Sequence, residues 1–295
     1  MEQKLLQALE DSMYEGSSIT PWFKGLLYGP DGVGKTITAA KVARKIETLP
    51  QNEGKKTLYW HIDPGGPDSF WNHPELEYGD KIKPMRYHGL SQIEALATAV
   101  KEKAGSFGGY HTIIVDTASN LHVLNLDTVA KERIKNKEGT RDPFNFMEDM
   151  LGVYNQATFI QRPSFLSLLL APINIILIAH DRRWEDKQGG GRQYIMPAFT
   201  PEVYKSISRF CSVVAYMTAQ IKTDPDKSHV PQYVRTIQFH PSGAIVAKSH
   251  IGNLPVQATN PNLAQIIYDW QEKGGVIESR PIPELGVDET FGLEG

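Results

Sequence analysis

The chain has 295 residues, 40% of them hydrophobic, enough to bury a full core in one large domain or two small ones. A formal net charge of -3 excludes a polycationic surface, so any nucleic-acid contact must come from a local cluster of Lys and Arg. The single cysteine, Cys211, excludes an intramolecular disulfide and suits a reducing compartment. The N-terminus lacks the apolar core of a secretory signal. The most apolar stretch, Phe165 to Ala179, is divided by Pro172 and falls short of the roughly 20 apolar residues a bilayer requires. We therefore expect no membrane association and a cytoplasmic location.

Residues 1–20 are expected to form an N-terminal helical segment. Short apolar runs then alternate with amphipathic segments, the pattern of an α/β protein. Candidate strands are Lys24–Tyr28, Thr57–Ile62, Thr112–Val115, Ile173–Ala179 and Cys211–Met217. The unbroken runs Ile113-Ile114-Val115 and Ile175-Ile176-Leu177-Ile178 suit strands covered on both faces, as in a parallel sheet. Between the strands, Thr36–Leu49 reads as a helix. Ser91–Lys103 reads as another, with Ser91 and Glu94 in capping-box spacing and Ile93, Leu96, Ala97 and Val100 on one face. Asp142-Pro143 offers a cap and a first-turn proline for a third. Tyr233–Phe239 and Ala244–Lys248 flank His240-Pro-Ser-Gly243, which predicts a C-terminal β-hairpin. Asn260-Pro261 opens a last helix with Leu263, Ile266, Ile267 and Trp270 on one face. Residues 274–295 are rich in Gly, Pro and acids and read as an acidic flexible tail. The expected fold is a mostly parallel central sheet flanked by helices, with a core over 21–255, a C-terminal helix within 256–273, and the tail.

Gly29-Pro30-Asp31-Gly32-Val33-Gly34-Lys35-Thr36 fits G-x-x-x-x-G-K-[ST] at every position, after an apolar strand and before a helix. Such a loop curls so that successive N–H groups meet phosphate oxygens, and the helix N-terminus adds its positive dipole end. Gly29 to Thr36, with Ile37, are the expected nucleotide contacts. Lys35 supplies charge to the β- and γ-phosphates, and the Thr36 hydroxyl binds magnesium. His111-Thr-Ile-Ile-Val-Asp116 is an apolar strand ending in an acid, the Walker-B pattern, which makes Asp116 the second magnesium ligand. His180 ends the next apolar strand, where a polar side chain can sense the γ-phosphate.

The order of these pieces resembles the RecA/RadA-like P-loop ATPases, and most closely the short phage RecA-like ATPases of single-strand annealing and recombination. The resemblance covers Pro21 to Pro255. It rests on the P-loop, on the strands ending at Asp116 and His180, on Pro197-Ala-Phe-Thr-Pro201, and on Ala247-Lys-Ser-His-Ile-Gly-Asn-Leu-Pro255. It implies ATP as the nucleotide, with Mg2+, and His180 as the coupler between γ-phosphate and a DNA-binding loop. That loop would be Asp181–Thr200. Arg182, Arg183, Lys187 and Arg192 would track phosphates, and Trp184 and Tyr194 would stack bases. Asp181, Glu185 and Asp186 oppose the basic charge.

Lys248-Ser-His-Ile-Gly252 is similar to the Lys-Asn-Arg-Phe-Gly motif of RadA proteins, whose basic residues reach the ATP of a neighbouring subunit. Lys248 matches, and His250 stands where the relatives carry Arg. This implies a homo-oligomeric ring or filament. Relatives also carry a catalytic Glu just after the second strand, where this chain has Gly65. Asp63 is the expected substitute for orienting water, with Asp68 the alternative. The resemblance implies an ATPase stimulated by single-stranded DNA that promotes annealing, with a single-strand-binding protein as a further expected partner. A helicase or packaging-type motor, and a nucleotide-operated DNA-binding switch with little turnover, use the same core and stay open.

Overall fold

The computed structural model describes residues 22–63, 65–89, 91–102, 109–137, 146–186, 191–222 and 232–274. The expectations for residues 1–20, for Lys187, for a helix start at Asp142-Pro143 and for the tail beyond Gly274 lie outside them.

In chain order the elements begin β1 (Lys24–Tyr28), α1 (Lys35–Glu47), β2 (Lys56–His61), β3 (Ile82–Arg86), α2 (Ser91–Glu102), β4 (Tyr110–Asp116) and α3 (Ala118–Lys137). They continue with α4 (Phe146–Leu170), β5 (Asn174–Ala179), β6 (Asp181–Asp186), β7 (Arg192–Pro197) and α5 (Pro201–Ser208). The last are β8 (Val213–Lys222), β9 (Gln232–Gln238), β10 (Lys248–Ser249), β11 (Gln257–Thr259) and α6 (Leu263–Glu272). The main sheet runs β11-β9-β8-β1-β5-β4-β2-β3, with β10 beside β8. From β8 through β1, β5, β4 and β2 to β3 every pairing is parallel, and the pairings of β9, β10 and β11 are antiparallel.

The apolar runs of β4 and β5 are fully buried, as two covered faces require. Successive side chains go to opposite faces. Ile175 and Leu177 join Ile113 and Val115 in a cluster with α2, α4 and α5. Ile176 and Ile178 join Ile114 on the other face, with Ala39, Ala43 and Ile46 of α1 and Leu263, Ile267 and Trp270 of α6. Phe165 to Leu170 closes α4, and β5 follows after Pro172, so the most apolar stretch is a helix end and a buried strand. Among the described residues no helix is long and apolar enough to cross a membrane.

The structure corrects two readings. Tyr233–Phe239 does not pair with Ala244–Lys248. Instead β9 pairs antiparallel with β8 from Tyr216↔Gln238 to Lys222↔Gln232, and with β11 on its other side. The long β8 offers β9 a continuous ladder, whereas the turn at Ser242 closes only the single bridge Ser242↔Ile245. Asp181–Thr200 is not a plain loop, because β6 and β7 form their own antiparallel sheet with Trp184 opposite Tyr194. Some elements were also missed, β3 and α3 among them. β3 contains Pro84 and sits at the sheet edge, the place where a strand tolerates proline. α3 buries the polar residues Ser119, His122 and Asn125, which blur an apolar stripe.

His111, at the start of β4, is 1% exposed, and burial pushes its imidazole down to about 4. The unfolded chain takes up this proton near pH 6.5 and the folded chain only near pH 4, so acid pulls the equilibrium toward unfolding in that window. His111 alone should cost up to about 3 kcal/mol of stability between those limits. Urea unfolding at pH 7 and pH 4.5 checks this. His111→Gln should lose less stability over the range than the parent, and an equal loss would contradict the assignment.

Candidate functional site

β1 lies between β5 and β8, so its carboxyl end opens at the same edge as those of β4 and β5. The chain leaves β1 at Gly29 with φ 154°, where a Cβ would stand 2.1 Å from the Met217 carbonyl oxygen on β8. Only glycine fits there. The loop closes at Gly34, the N-cap of α1, with φ 89°. This glycine cap offers no side-chain acceptor and the first turn holds no acid, so the helix N-terminus presents amide donors and its positive end. Lys35 is 6% exposed, and its Nζ donates to the carbonyls of Gly29 and Pro30, both at 2.7 Å. Burial lowers its proton affinity, and Asp31, Asp116 and Asp181 oppose the shift. Val33 is buried, while Pro30, Asp31 and Gly32 are exposed at the loop surface. Ile37 is half-buried on α1.

Asp116 ends β4 opposite His61 of β2 and is 4% exposed. The Thr36 hydroxyl donates to its Oδ2 at 2.7 Å, and the Tyr59 hydroxyl donates to the same oxygen at 2.8 Å. Burial raises its proton affinity, and those two hydrogen bonds oppose the shift. Asp63 lies beside this pair. Its Oδ2 accepts from Thr117 at 3.0 Å and its Oδ1 from Asn120, which fixes the carboxylate at the head of α3. Gly65 is exposed, and a Cβ there would meet only Asp68 Oδ2, at 3.8 Å, so a side chain has room. Asp68 is exposed on the short 3-10 turn Gly66–Phe70.

His180 follows β5, with its backbone N–H donated to Ser119 Oγ and its Nδ1 2.7 Å from Asp31 Oδ1 of the loop. The next residue begins β6, so the chain passes from the phosphate loop's neighbour straight into the hairpin. Trp184 and Tyr194 meet across that hairpin with ring centroids 5.8 Å apart and planes tilted by 30°, and Arg183 and Arg192 are exposed. Arg182 differs. It is half-buried, its Nε and Nη2 are buried without a hydrogen-bond partner, and burial lowers its proton affinity. Lys248 stands apart from the loop and donates to the Ser208 carbonyl at 2.7 Å, capping the C-terminus of α5. His250 beside it is exposed.

Two residues near the loop escaped the sequence reading. The Tyr233 hydroxyl donates to the Gly32 carbonyl at 2.9 Å, and Arg235 Nε donates to the Val33 carbonyl at 3.1 Å. Their i, i+2 spacing signals a shared strand face, but only the sheet order places β9 beside the loop.

Oxygen groups at Thr36 and Asp116 are of the type a magnesium ion takes. Among the described residues no group of three or more His, Cys, Asp or Glu could hold a metal unaided. The residues present fit a cation that draws its remaining ligands from phosphate and water. The curled loop, the bare helix terminus and the enclosed lysine likewise fit a polyphosphate. Sheet order and loop geometry define a P-loop nucleotide-binding domain of the α/β class. A family model described as an AAA domain matches residues 23–251, most of the chain, and the chain belongs to that family of nucleotide-binding ATPase domains. It has no match among curated proteins.

The open position at Gly65 gives a direct test. Gly65→Glu should fold as the parent does and raise ATP turnover roughly tenfold or more, since a positioned base contributes at least that much. Steady-state kinetics with a melting curve checks it. Unchanged turnover in a folded variant would show that a carboxylate at this position is not what limits the rate.

Proposed function

We propose that the chain is a RecA-like protein that binds and hydrolyses ATP with magnesium, binds single-stranded DNA, and promotes annealing and recombination. The reading includes a ring or filament of identical copies and a cytoplasmic setting, that of the host if the gene is carried by a phage. The observation that carries the catalytic part is the 2.7 Å hydrogen bond from Thr36 to Asp116, which joins the first turn of α1 to the tip of β4.

In this reading the loop amides and Lys35 hold the β- and γ-phosphates, and Thr36 and Asp116 hold the metal. Magnesium, when bound, neutralises phosphate charge. Tyr59 keeps the Asp116 carboxylate turned toward Thr36 through its own 2.8 Å bond. Asp63, held by Thr117 and Asn120, orients the attacking water. Lys35 exchanges the Gly29 and Pro30 carbonyls for phosphate oxygens, which costs the loop little because both partners are its own backbone.

His180 supports a link between nucleotide and DNA. It touches Asp31 of the loop and directly precedes β6, so a change at the γ-phosphate has a short covalent route to the hairpin. On the hairpin, Arg183 and Arg192 meet phosphates while Trp184 and Tyr194 offer ring faces to bases. A cavity of about 890 Å³ beside the hairpin adds Tyr204 and Lys205 of α5 to Arg183 and Trp184. Arg182, half-buried with its Nε and Nη2 out of contact with solvent, takes no part in this reading. Lys248 reaches a neighbouring subunit's nucleotide only if it leaves the α5 carbonyls. A single-strand-binding protein is the further partner of this reading.

The absence of a carboxylate at Gly65 favours one alternative, a nucleotide-operated DNA-binding switch with little turnover. ATP hydrolysis with and without single-stranded DNA separates the two: stimulation supports the recombination ATPase, and bound but unhydrolysed ATP supports the switch. Replacing both Arg183 and Arg192 by Ala should weaken single-strand binding. It should also flatten the log–log salt slope by about 1.4, from two lost phosphate contacts. Unchanged affinity and slope would remove the hairpin as the DNA site.

A further inference from the structure

The β6–β7 hairpin and α5 form the two walls of one slot. Side chains alternate along a strand, so Trp184 of β6 shares a face with Tyr194 and Met196 of β7, and these three line the cavity of about 890 Å³. Pro201, Tyr204 and Lys205 lie three and four residues apart on α5, and they line it from the helix. Aromatic rings therefore stand on both walls, with Met196 and Val246 completing the apolar lining. Lys205 and Glu202, both exposed, set a cation and a carboxylate at the helix side of the rim. Arg183 and Glu185 alternate to the other face of β6 and border the slot from its edge.

Both walls are fixed by hydrogen bonds that leave the rings free. The Ile195 N–H donates to the Ala244 carbonyl at 2.8 Å, and the Val246 N–H donates to the Ile195 carbonyl at 3.1 Å. The Tyr28 hydroxyl, one residue before the phosphate loop, donates to the Val246 carbonyl, with the Ile195 carbonyl 3.1 Å away. The hairpin closes at its root where the Ala198 N–H donates to the His180 carbonyl at 2.9 Å. Thr200 Oγ1 caps α5 by accepting from the Val203 N–H at 3.4 Å. A slot shaped in advance loses less on binding than one that must be ordered.

The groups in the slot ask for three features in one ligand. Facing rings take a flat aromatic group, and Lys205 takes an adjoining phosphate. The Glu202 carboxylate lies in the first turn of α5, where the helix dipole favours its ionised form. An ionised carboxylate only accepts hydrogen bonds, so it attracts an amino group and repels a carbonyl edge. A nucleotide with an exocyclic amino group on its base carries all three features. We infer that the slot holds one unstacked base of single-stranded DNA, and that Glu202 selects cytosine, adenine or guanine over thymine. Stacking is sequence-tolerant because every base has a π-face, so the carboxylate is what adds a choice. The inference rests on the DNA reading above and adds to it a seat for one base and a basis for selecting it.

The test compares oligodeoxycytidine with oligodeoxyuridine of the same length, which differ only at the edge where cytosine has an amino group and uracil a carbonyl. Binding to the full chain with ATP and magnesium is followed by fluorescence anisotropy. The parent should prefer the cytidine strand by at least about fivefold, the scale of a charge-assisted hydrogen bond partly exposed to solvent. In Glu202→Ala the preference should fall to within about twofold, with the uridine strand still bound. Tyr204→Leu should weaken both strands by about fivefold or more, since it removes a stacking face, and should keep the cytidine preference. A parent that binds both strands equally would overturn the selection, and a preference that survives Glu202→Ala would overturn its assignment to this slot. Displacement of the cytidine strand by an equal nucleotide concentration of deoxycytidine monophosphate would overturn the DNA occupant in favour of a free mononucleotide. A parent that binds neither strand would overturn the underlying DNA reading and the slot with it.

Discussion

A buried carboxylate at the tip of a covered parallel sheet is the constraint around which this site is arranged. Asp116 is 4% exposed, and an ionised group so placed is costly unless it is paired or hydrogen-bonded. Thr36 and Tyr59 both donate to one of its oxygens, yet burial still raises its proton affinity. A carboxylate in that state is better stabilised by a cation than by two hydroxyls. The bond to Thr36 also fixes the first turn of α1 against β4. Lys35, one residue earlier, is thereby held inside the loop and not out in solvent.

The loop is braced from the opposite side by a part of the chain far away in sequence. β9 reaches the loop because β8 continues beyond the parallel part of the sheet and pairs with it antiparallel. Gly34 permits the close approach, since a Cβ there would stand 2.8 Å from Arg235 Nε. Tyr233 and Arg235 occupy the loop carbonyls of Gly32 and Val33 from the β9 side. α6 then packs on α1, and Lys45 of α1 lies over the Tyr268 ring at 4.6 Å. Sheet edge, phosphate loop and last helix are thus tied together by hydrogen bonds and packing, whereas the β6–β7 hairpin is a separate sheet that follows His180 and bridges to the body at Ile195↔Ile245.

The parts legible in the sequence are those governed by local chemistry. The loop between β1 and α1 is set by its glycines and lysine, and the runs ending at Asp116 and His180 are apolar because both faces of their strands are covered. Ile93, Leu96, Ala97 and Val100 face the core from one side of α2, as their spacing predicts. The parts that were not legible depend on distant partners. Pro84 masks β3 because only edge placement excuses it. The polar residues of α3 are buried against distant groups, such as the Ala157 carbonyl of α4 that accepts from Asn125 and the His180 N–H that donates to Ser119. The Tyr233–Phe239 segment reads as a strand but not which strand it joins, and without that pairing neither Tyr233 nor Arg235 can be assigned to the loop. Charge alternation along β6 and β7 resembles a solvated loop until Trp184 and Tyr194 are seen opposite each other.

The most direct test of the central claim is calorimetric titration of ATP with magnesium into the wild-type chain and into Lys35→Ala. Lys35→Ala removes the one cation enclosed by the loop and leaves both partner carbonyls, Gly29 and Pro30, able to meet water. The account predicts that binding by the wild type is lost in the variant, a fall of at least about a hundredfold in affinity for a charge-assisted contact of this kind. Equal affinity in the two proteins would contradict it, and would mean that the loop from Gly29 to Thr36 is not where the nucleotide binds.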